Sequence, residues 1–213
     1  MKSAVVSLCV AGLAFGGLCR TSWGAIVYES ATAGSDHQTV GNTISQSAFN
    51  GIRFQITAPT PVNQIGGLFS SMASDSSSIF GALVSLTDAT DVPDSKSLST
   101  PDVLFQGLLS VPASSQGDVS LDFDPITLSP GYYGVVFGSG LFGATGVVQM
   151  PNQNTAIGPQ SAFFYATVNG GWSSFTPNST PARFYVAAVP EPGTALAGLS
   201  AAALLLRRVR RAR

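Results

Sequence analysis

The chain has 213 residues, 45% hydrophobic and only 10% charged, which sets the expectation of one packed domain plus terminal address segments. Its formal net charge of -1 conceals a partition: Lys2 and Arg20 lie near the start, five of the ten basic residues fall in Arg207 to Arg213, and between Ala25 and Ala188 three basic residues stand against ten acidic ones. An acidic middle without a Lys/Arg cluster excludes nucleic-acid binding, because a phosphate backbone must be met by grouped cations that release its counterions.

The opening MKSAVVSLCVAGLAFGGLCRTSWGA places Lys2 before an apolar run from Ala4 to Leu18 and then a polar exit, the order of a secretory signal peptide. Ser22 and Gly24 put small residues at -3 and -1 of a cut before Ala25, whereas a cut one residue later puts Trp23 at -3. Residues 1–24 are therefore expected to be a leader, and 25–188 the folded domain. Cys9 and Cys19 both fall in the leader, leaving that domain without a disulfide or a thiol nucleophile. A lipoprotein anchor is the rival reading of the cysteines, but Gly16, Gly17 and Leu18 before Cys19 lack the leucine, small, small order.

After an N-terminal strand comes AGSDHQTVG, a polar stretch whose His37 reads as a surface loop histidine. In GIRFQITA, Ile52, Phe54 and Ile56 alternate with Arg53, Gln55 and Thr57, the period of a half-buried strand. FGALVSLT alternates similarly, with Leu83 making its second face apolar, as in a central strand. The serine-rich SSMASDSSS between them, residues 70 to 78, is expected to be an exposed connection. VLFQGLLSV, DVSLDF, GYYGVVFG, AFFYATV and RFYVAAV complete about eight to ten strands, the number typical of an antiparallel β-sandwich or jelly roll. Pro93, Pro101, Pro112, Pro125 and Pro130 are placed between strands, and Asn169-Gly170-Gly171 reads as a hairpin turn. No amphipathic helix is expected in the domain.

Catalytic side chains are scarce in 25–188, which holds no cysteine, one histidine and one lysine. HExxH, GxSxG and Walker sequences are absent, and the neighbours Ser95 and Lys96 sit in a loop with nothing to bury the amine. Asp88, Asp91 and Asp94, and Asp118, Asp122 and Asp124, form two acidic runs. Calcium ligation or a glycosidase acid pair is one reading of them, but neither run has EF-hand order, and aspartate is common in turns for its own hydrogen bonding. No metal and no cofactor is expected. Among aromatic residues Tyr132, Tyr133 and Phe163 to Tyr165 read as strand pairs with one member inside, while Trp172, beside a glycine turn, is the candidate glycan contact.

The last segment, 189–213, begins with Val189, Pro190, Glu191, Pro192 and Gly193, then runs apolar for 13 residues from Thr194 to Leu206. As a helix that run spans about 20 Å against a hydrocarbon core of about 30 Å. Arg207, Arg208, Arg210, Arg211 and Arg213 follow, and as cytoplasmic flanks with long stems they extend the span. The expectation is a C-terminal hydrophobic helix inserted, at least transiently, in a membrane.

Proline-flanked glutamate, apolar helix and arginine cluster in that order resemble the PEP-CTERM sorting signal of Gram-negative bacteria. The resemblance covers 25 of 213 residues. It implies an exosortase substrate, handled by a multi-pass membrane enzyme of cysteine-protease-like mechanism that recognises Pro-Glu-Pro and is thought to remove the helix. It also implies a place at the cell surface or in an exopolysaccharide or biofilm matrix. The stretches SQSAFNGIRFQIT, VNQIGGLFS, ALVSLTDATDVPDSKSL, DFDPITLSPGYYGVVF and NGGW resemble, in their order, the choice-of-anchor class of exported β domains. The expected function is a non-enzymatic exported protein of the cell envelope, cell surface or extracellular matrix. The alternatives are a lectin-like module, with extracellular polysaccharide as partner, and a secreted polysaccharide hydrolase.

Overall fold

The computed structural model describes residues 25–32, 41–152, 154–159, 161–175 and 182–188. The leader, His37, the Pro190-Glu191-Pro192 motif and the terminal arginines lie outside the described residues.

The strands are β1 (Ala25–Glu29), β2 (Ala31–Thr32), β3 (Gly41–Ile44), β4 (Ala48–Ile56), β5 (Thr60–Ser71), β6 (Ser77–Leu86), β7 (Val103–Val111), β8 (Ser115–Leu128), β9 (Gly131–Gly138), β10 (Val148–Pro151), β11 (Thr155–Ala156), β12 (Ala162–Ala166), β13 (Gly171–Phe175) and β14 (Phe184–Ala188). The described residues contain no α-helix, only the 3-10 turn Thr167–Asn169. The protein is all-β and its strand pairs are antiparallel.

One six-stranded sheet has the order β1-β14-β5-β10-β3, with β8 on the other side of β5. The second has the order β13-β12-β4-β9-β6-β7. β2 and β11 form a separate two-stranded ribbon. Alternation decides which side chains meet between the sheets. Ile52, Phe54 and Ile56 of β4 share one buried core with Ile65 and Phe69 of β5, Phe137 of β9 and Val186 of β14. Phe137 stands edge-on to Phe69 at 5.0 Å and stacks on Phe184 at 5.7 Å, so one ring bolts the two sheets together.

The second sheet is apolar on its outer face too. Phe49, Phe80, Ala82, Val84, Val136, Phe163 and Tyr165 form a second cluster there with Leu98 and Ala144 from loops. The long connections 87–102 and 139–147 supply this covering layer instead of helices. β6 accordingly feeds both cores, Ile79 and Leu83 inward and Phe80, Ala82 and Val84 outward. Gly138 is required where these aromatics crowd the backbone, since a Cβ there would come within 2.3 Å of Phe80.

Two expectations change. Ser70, Ser71 and Ser77 are buried ends of β5 and β6, so the exposed connection shrinks to residues 72–76. Pro125 lies inside β8, not between strands. It is tolerated because β8 is an edge strand and because the register with β5 shifts between Val62 and Gln64, a bulge that frees Pro125 from the ladder. The hairpin at Gly170 holds: Ala166 pairs with Gly171 and Gly170 takes φ +73.

β1 enters and β14 leaves at one pole, where Ala25 and Ala188 are cross-strand partners. The turns 45–47, 72–76, 112–114, 139–147 and 167–170 gather at the opposite, apical pole, and Asp75 is their only charged residue. Phe137→Ala is expected to cost about 3–5 kcal/mol in urea melts, through lost burial plus a cavity between the sheets. Val168→Ser, at a turn position 93% exposed, is expected to change stability by less than about 0.5 kcal/mol.

Candidate functional site

Trp172 is the second residue of edge strand β13 at the apical corner of the second sheet, directly opposite Tyr165. Its indole is half-buried against Tyr165 (5.5 Å), Phe163 (5.6 Å) and Phe49 (6.2 Å). The first two contacts are near-perpendicular, the preferred edge-to-face geometry. Trp172 is thus set into the outer aromatic cluster, not standing clear of it, and its Nε1–H is buried without an acceptor. Beside it the positions where Gly170 and Gly171 would carry Cβ atoms open onto free space. Lys96 caps the neighbouring Tyr165 with its Nζ 5.0 Å from the ring centroid.

Tyr133 is buried and Tyr132 half-exposed, and Phe163 and Tyr165 are buried while Phe164 is half-exposed, as strand alternation requires. The Tyr133 hydroxyl donates to the Ser129 carbonyl at 2.8 Å, which ties the turn before β9 to the core.

The first aspartate run builds a loop. The Asp88 carboxylate accepts from the Thr90 and Asp91 backbone N–H groups at 2.7 and 3.0 Å. Asp91 accepts from the Thr87 N–H and hydroxyl at 2.7 and 2.8 Å and from the Val92 N–H at 2.8 Å. Hydrogen bonds from Thr90 and Thr87 hold the two carboxyls below the usual carboxylate range. The stability they bring is present above the ordinary value of 3.8 and is lost as pH falls through their lower folded-state values.

Arg53, buried on the outer face of β4, grips this loop from below. Its Nη2 donates to the Thr90 carbonyl (3.0 Å) and the Ser174 hydroxyl (2.9 Å), its Nη1 to the Ala162 carbonyl (3.2 Å), and its Nε to the Asp91 carbonyl. The guanidinium also lies 4.9 Å from the Phe163 ring centroid. No carboxylate oxygen touches it, so neutral acceptors and a ring face replace its hydration; burial pulls its pKa down.

Arg183 makes the corresponding junction in the first sheet. It pairs with Glu29 of β1 and, through Nε and Nη2, with Asp118 of β8 at 3.0 Å each. Its Nη1 donates to the Ala31 carbonyl at 2.7 Å. Burial pushes the Asp118 carboxyl up and the Arg183 guanidinium down, a cost of desolvation that their bidentate contact opposes. In the same run Asp122 accepts from the Gln64 amide at 2.6 Å. Neither aspartate run converges on one point: among the described residues no group of three or more His, Cys, Asp or Glu side chains is placed to hold a metal.

A shallow cleft of about 340 Å³ opens between residues 98–100 and 103–106. Serine, threonine, glutamine and apolar side chains line it, with no titratable group. Arg53 and Arg183 are the residues that sequence reasoning passed over. The available signal was their position inside apolar strand patterns, GIRFQI and ARFYVA, in a domain with three basic residues.

Arg183→Met leaves Glu29 and Asp118 together without a cation. A carboxyl whose folded-state pKa is raised loses stability as pH rises through that value, so the loss should be about 3 kcal/mol at neutral pH. It should shrink as pH falls toward the ordinary carboxylate value of 3.8. Denaturant melts across pH check this, and a pH-independent deficit would assign the role of Arg183 to packing alone. Neither a family model nor a curated protein matches this sequence.

Proposed function

We propose that the chain is an exported, non-enzymatic protein of the cell surface or extracellular matrix, a jelly-roll-like β-sandwich delivered by the leader and handled through a PEP-CTERM sorting signal. One observation carries this reading: Ala25, the first residue after the expected leader cut, pairs with Ala188, the last residue before Val189-Pro190-Glu191-Pro192-Gly193. The described strands thus begin and end at one pole, where the two expected address segments would join them. A tether there, through Arg207 to Arg213 and the apolar run before them, directs the apical turns away from the membrane. Glu191 then lies only three residues beyond the last strand, within reach of an exosortase-type membrane enzyme.

Mass spectrometry of the protein from its host tests the reading, with an N-terminus at Ala25 and recovery from envelope or medium expected. A C-terminus between Pro190 and Gly193 reports processing, and Arg213 reports a retained anchor. Intact 213-residue chain in the cytoplasm overturns it.

Carbohydrate binding at the apical corner is a second reading, favoured by the half-buried Trp172 indole beside the open Gly170-Gly171 backbone and the exposed Val168. Aromatic faces with few charges suit neutral glycans. A glycan-array signal that is lost in Trp172→Ala and weakened in Val168→Glu, with the melting temperature of the second variant unchanged, is the expected pattern. A silent array removes this reading.

A further inference from the structure

β7 is paired on one side only, by β6, and β8 likewise on one side only, by β5. These are the long free edges among the described strands, of 9 and 14 residues, since the other edge strands β1, β3 and β13 have only 5, 4 and 5. A free edge is a row of unpaired N–H and C=O groups that templates another strand, and proteins normally blunt it with charge, proline or a bulge.

β8 carries all three guards. Asp118, Asp122 and Asp124 alternate along its outer side, Pro125 removes a donor, and the register shift opposite Val62 and Gln64 twists the strand. β7 has neither of the first two: VLFQGLLSV holds no charge and no proline. Its one bulge lies at its foot, where Leu83 and Val84 of β6 pair with Phe105 and Val103 and leave Leu104 as the extra residue, so pairing runs in register from Phe105 to Val111. Its outward row is Leu104, Gln106, Leu108 and Ser110, with the two leucines 38% and 46% exposed. Its inward Phe105, stacked on Phe123 at 4.3 Å, is only half-buried and closes the open side of the core between β7 and β8.

We propose that β7 is an assembly edge, where two copies of this chain join their second sheets by antiparallel β7 to β7 pairing about a two-fold axis near Gly107. Charge selects a second copy as the occupant. The domain carries ten acidic residues against three basic, so copies repel one another over most of their surface. β8 against β8 would set carboxylates against carboxylates. Along β7 no charge meets its own image, and the strand is self-complementary. Pairing about Gly107 sets Gln106 opposite Leu108 and Leu104 opposite Ser110 on the outer face, and Phe105 opposite Leu109 on the inner face. Both exposed leucines gain cover, and a two-fold interface satisfies each edge with the other. The symmetry also points the two termini poles in opposite directions. Copies anchored in one membrane cannot pair this way, whereas released copies or copies on facing surfaces can.

Sedimentation of the full chain across micromolar concentrations, in detergent while the tail is present, tests the pairing. The wild type is expected to form dimers. Leu108→Lys should weaken association by at least about tenfold, because two ammonium groups would then enter the interface. Diluted to where the wild type is monomeric, the two should melt alike, and Ser110→Lys, on the same exposed row, repeats the measurement should Leu108→Lys fail to fold. In a Cys9→Ser, Cys19→Ser background, oxidising a mixture of Gln106→Cys and Leu108→Cys copies should yield crosslinked dimer, and Asp124→Cys copies should yield none. A wild type that stays monomeric overturns the proposal. So does a dimer that survives both lysine variants, or a Gln106→Cys crosslink in the native envelope that captures only a different protein.

Discussion

Closure of the first sheet depends on one buried guanidinium. Arg183 reaches from the approach to β14 to Glu29 at the end of β1, to the Ala31 carbonyl just beyond it and to Asp118 on β8, so a single side chain joins segments from the beginning, middle and end of the domain. Ser30 supports the same seam, with its hydroxyl donating to the Ala182 carbonyl and accepting from the Phe184 N–H. Burying these charges is costly unless every lone pair and proton finds a partner, so the seam holds one geometry and rejects a slipped register. It brings Ala25 and Ala188 together, and from that pairing follows the placement of both ends of the described strand framework at one pole.

The topology has a kinetic consequence. β14 lies between β1 and β5, so the first sheet is incomplete until the last strand of the domain is available. Such non-local pairing is slow to form and leaves strand edges open in the meantime. The aspartates and Pro125 on β8 guard one of those edges while the chain is unfinished.

The second sheet solves a different problem. Both its faces are apolar, and no α-helix among the described residues covers the outer one, so two long loops perform that task. Loops cover apolar surface poorly unless their backbone groups are satisfied. Here the Asp88 and Asp91 carboxylates cap the 87–94 turns and Arg53 takes up two of the carbonyls. Arg53 and Lys96 sit on aromatic rings of the same cluster, which holds Trp172 in place at its margin.

By itself the sequence determined the all-β class and most strand positions, because period-two alternation is a local property and GIRFQITA or GYYGVVFG displays it unaided. Changes of composition set the expected limits of the domain at 25 and 188. The tertiary structure alone decided the rest. Pro125 reads as a strand breaker until β8 is known to be an edge, and Ser70, Ser71 and Ser77 read as loop until their strands are seen to run into the core. The acidic runs look like ligand sets, yet the carboxylates of Asp88 and Asp91 serve loop N–H groups, that of Asp122 the Gln64 amide and that of Asp118 Arg183. The face of Trp172, the partners of the two buried arginines and the contrast between the β7 and β8 edges all depend on residues distant in the chain. Alternation says that a side chain has an inside, but only strand order says what lies there.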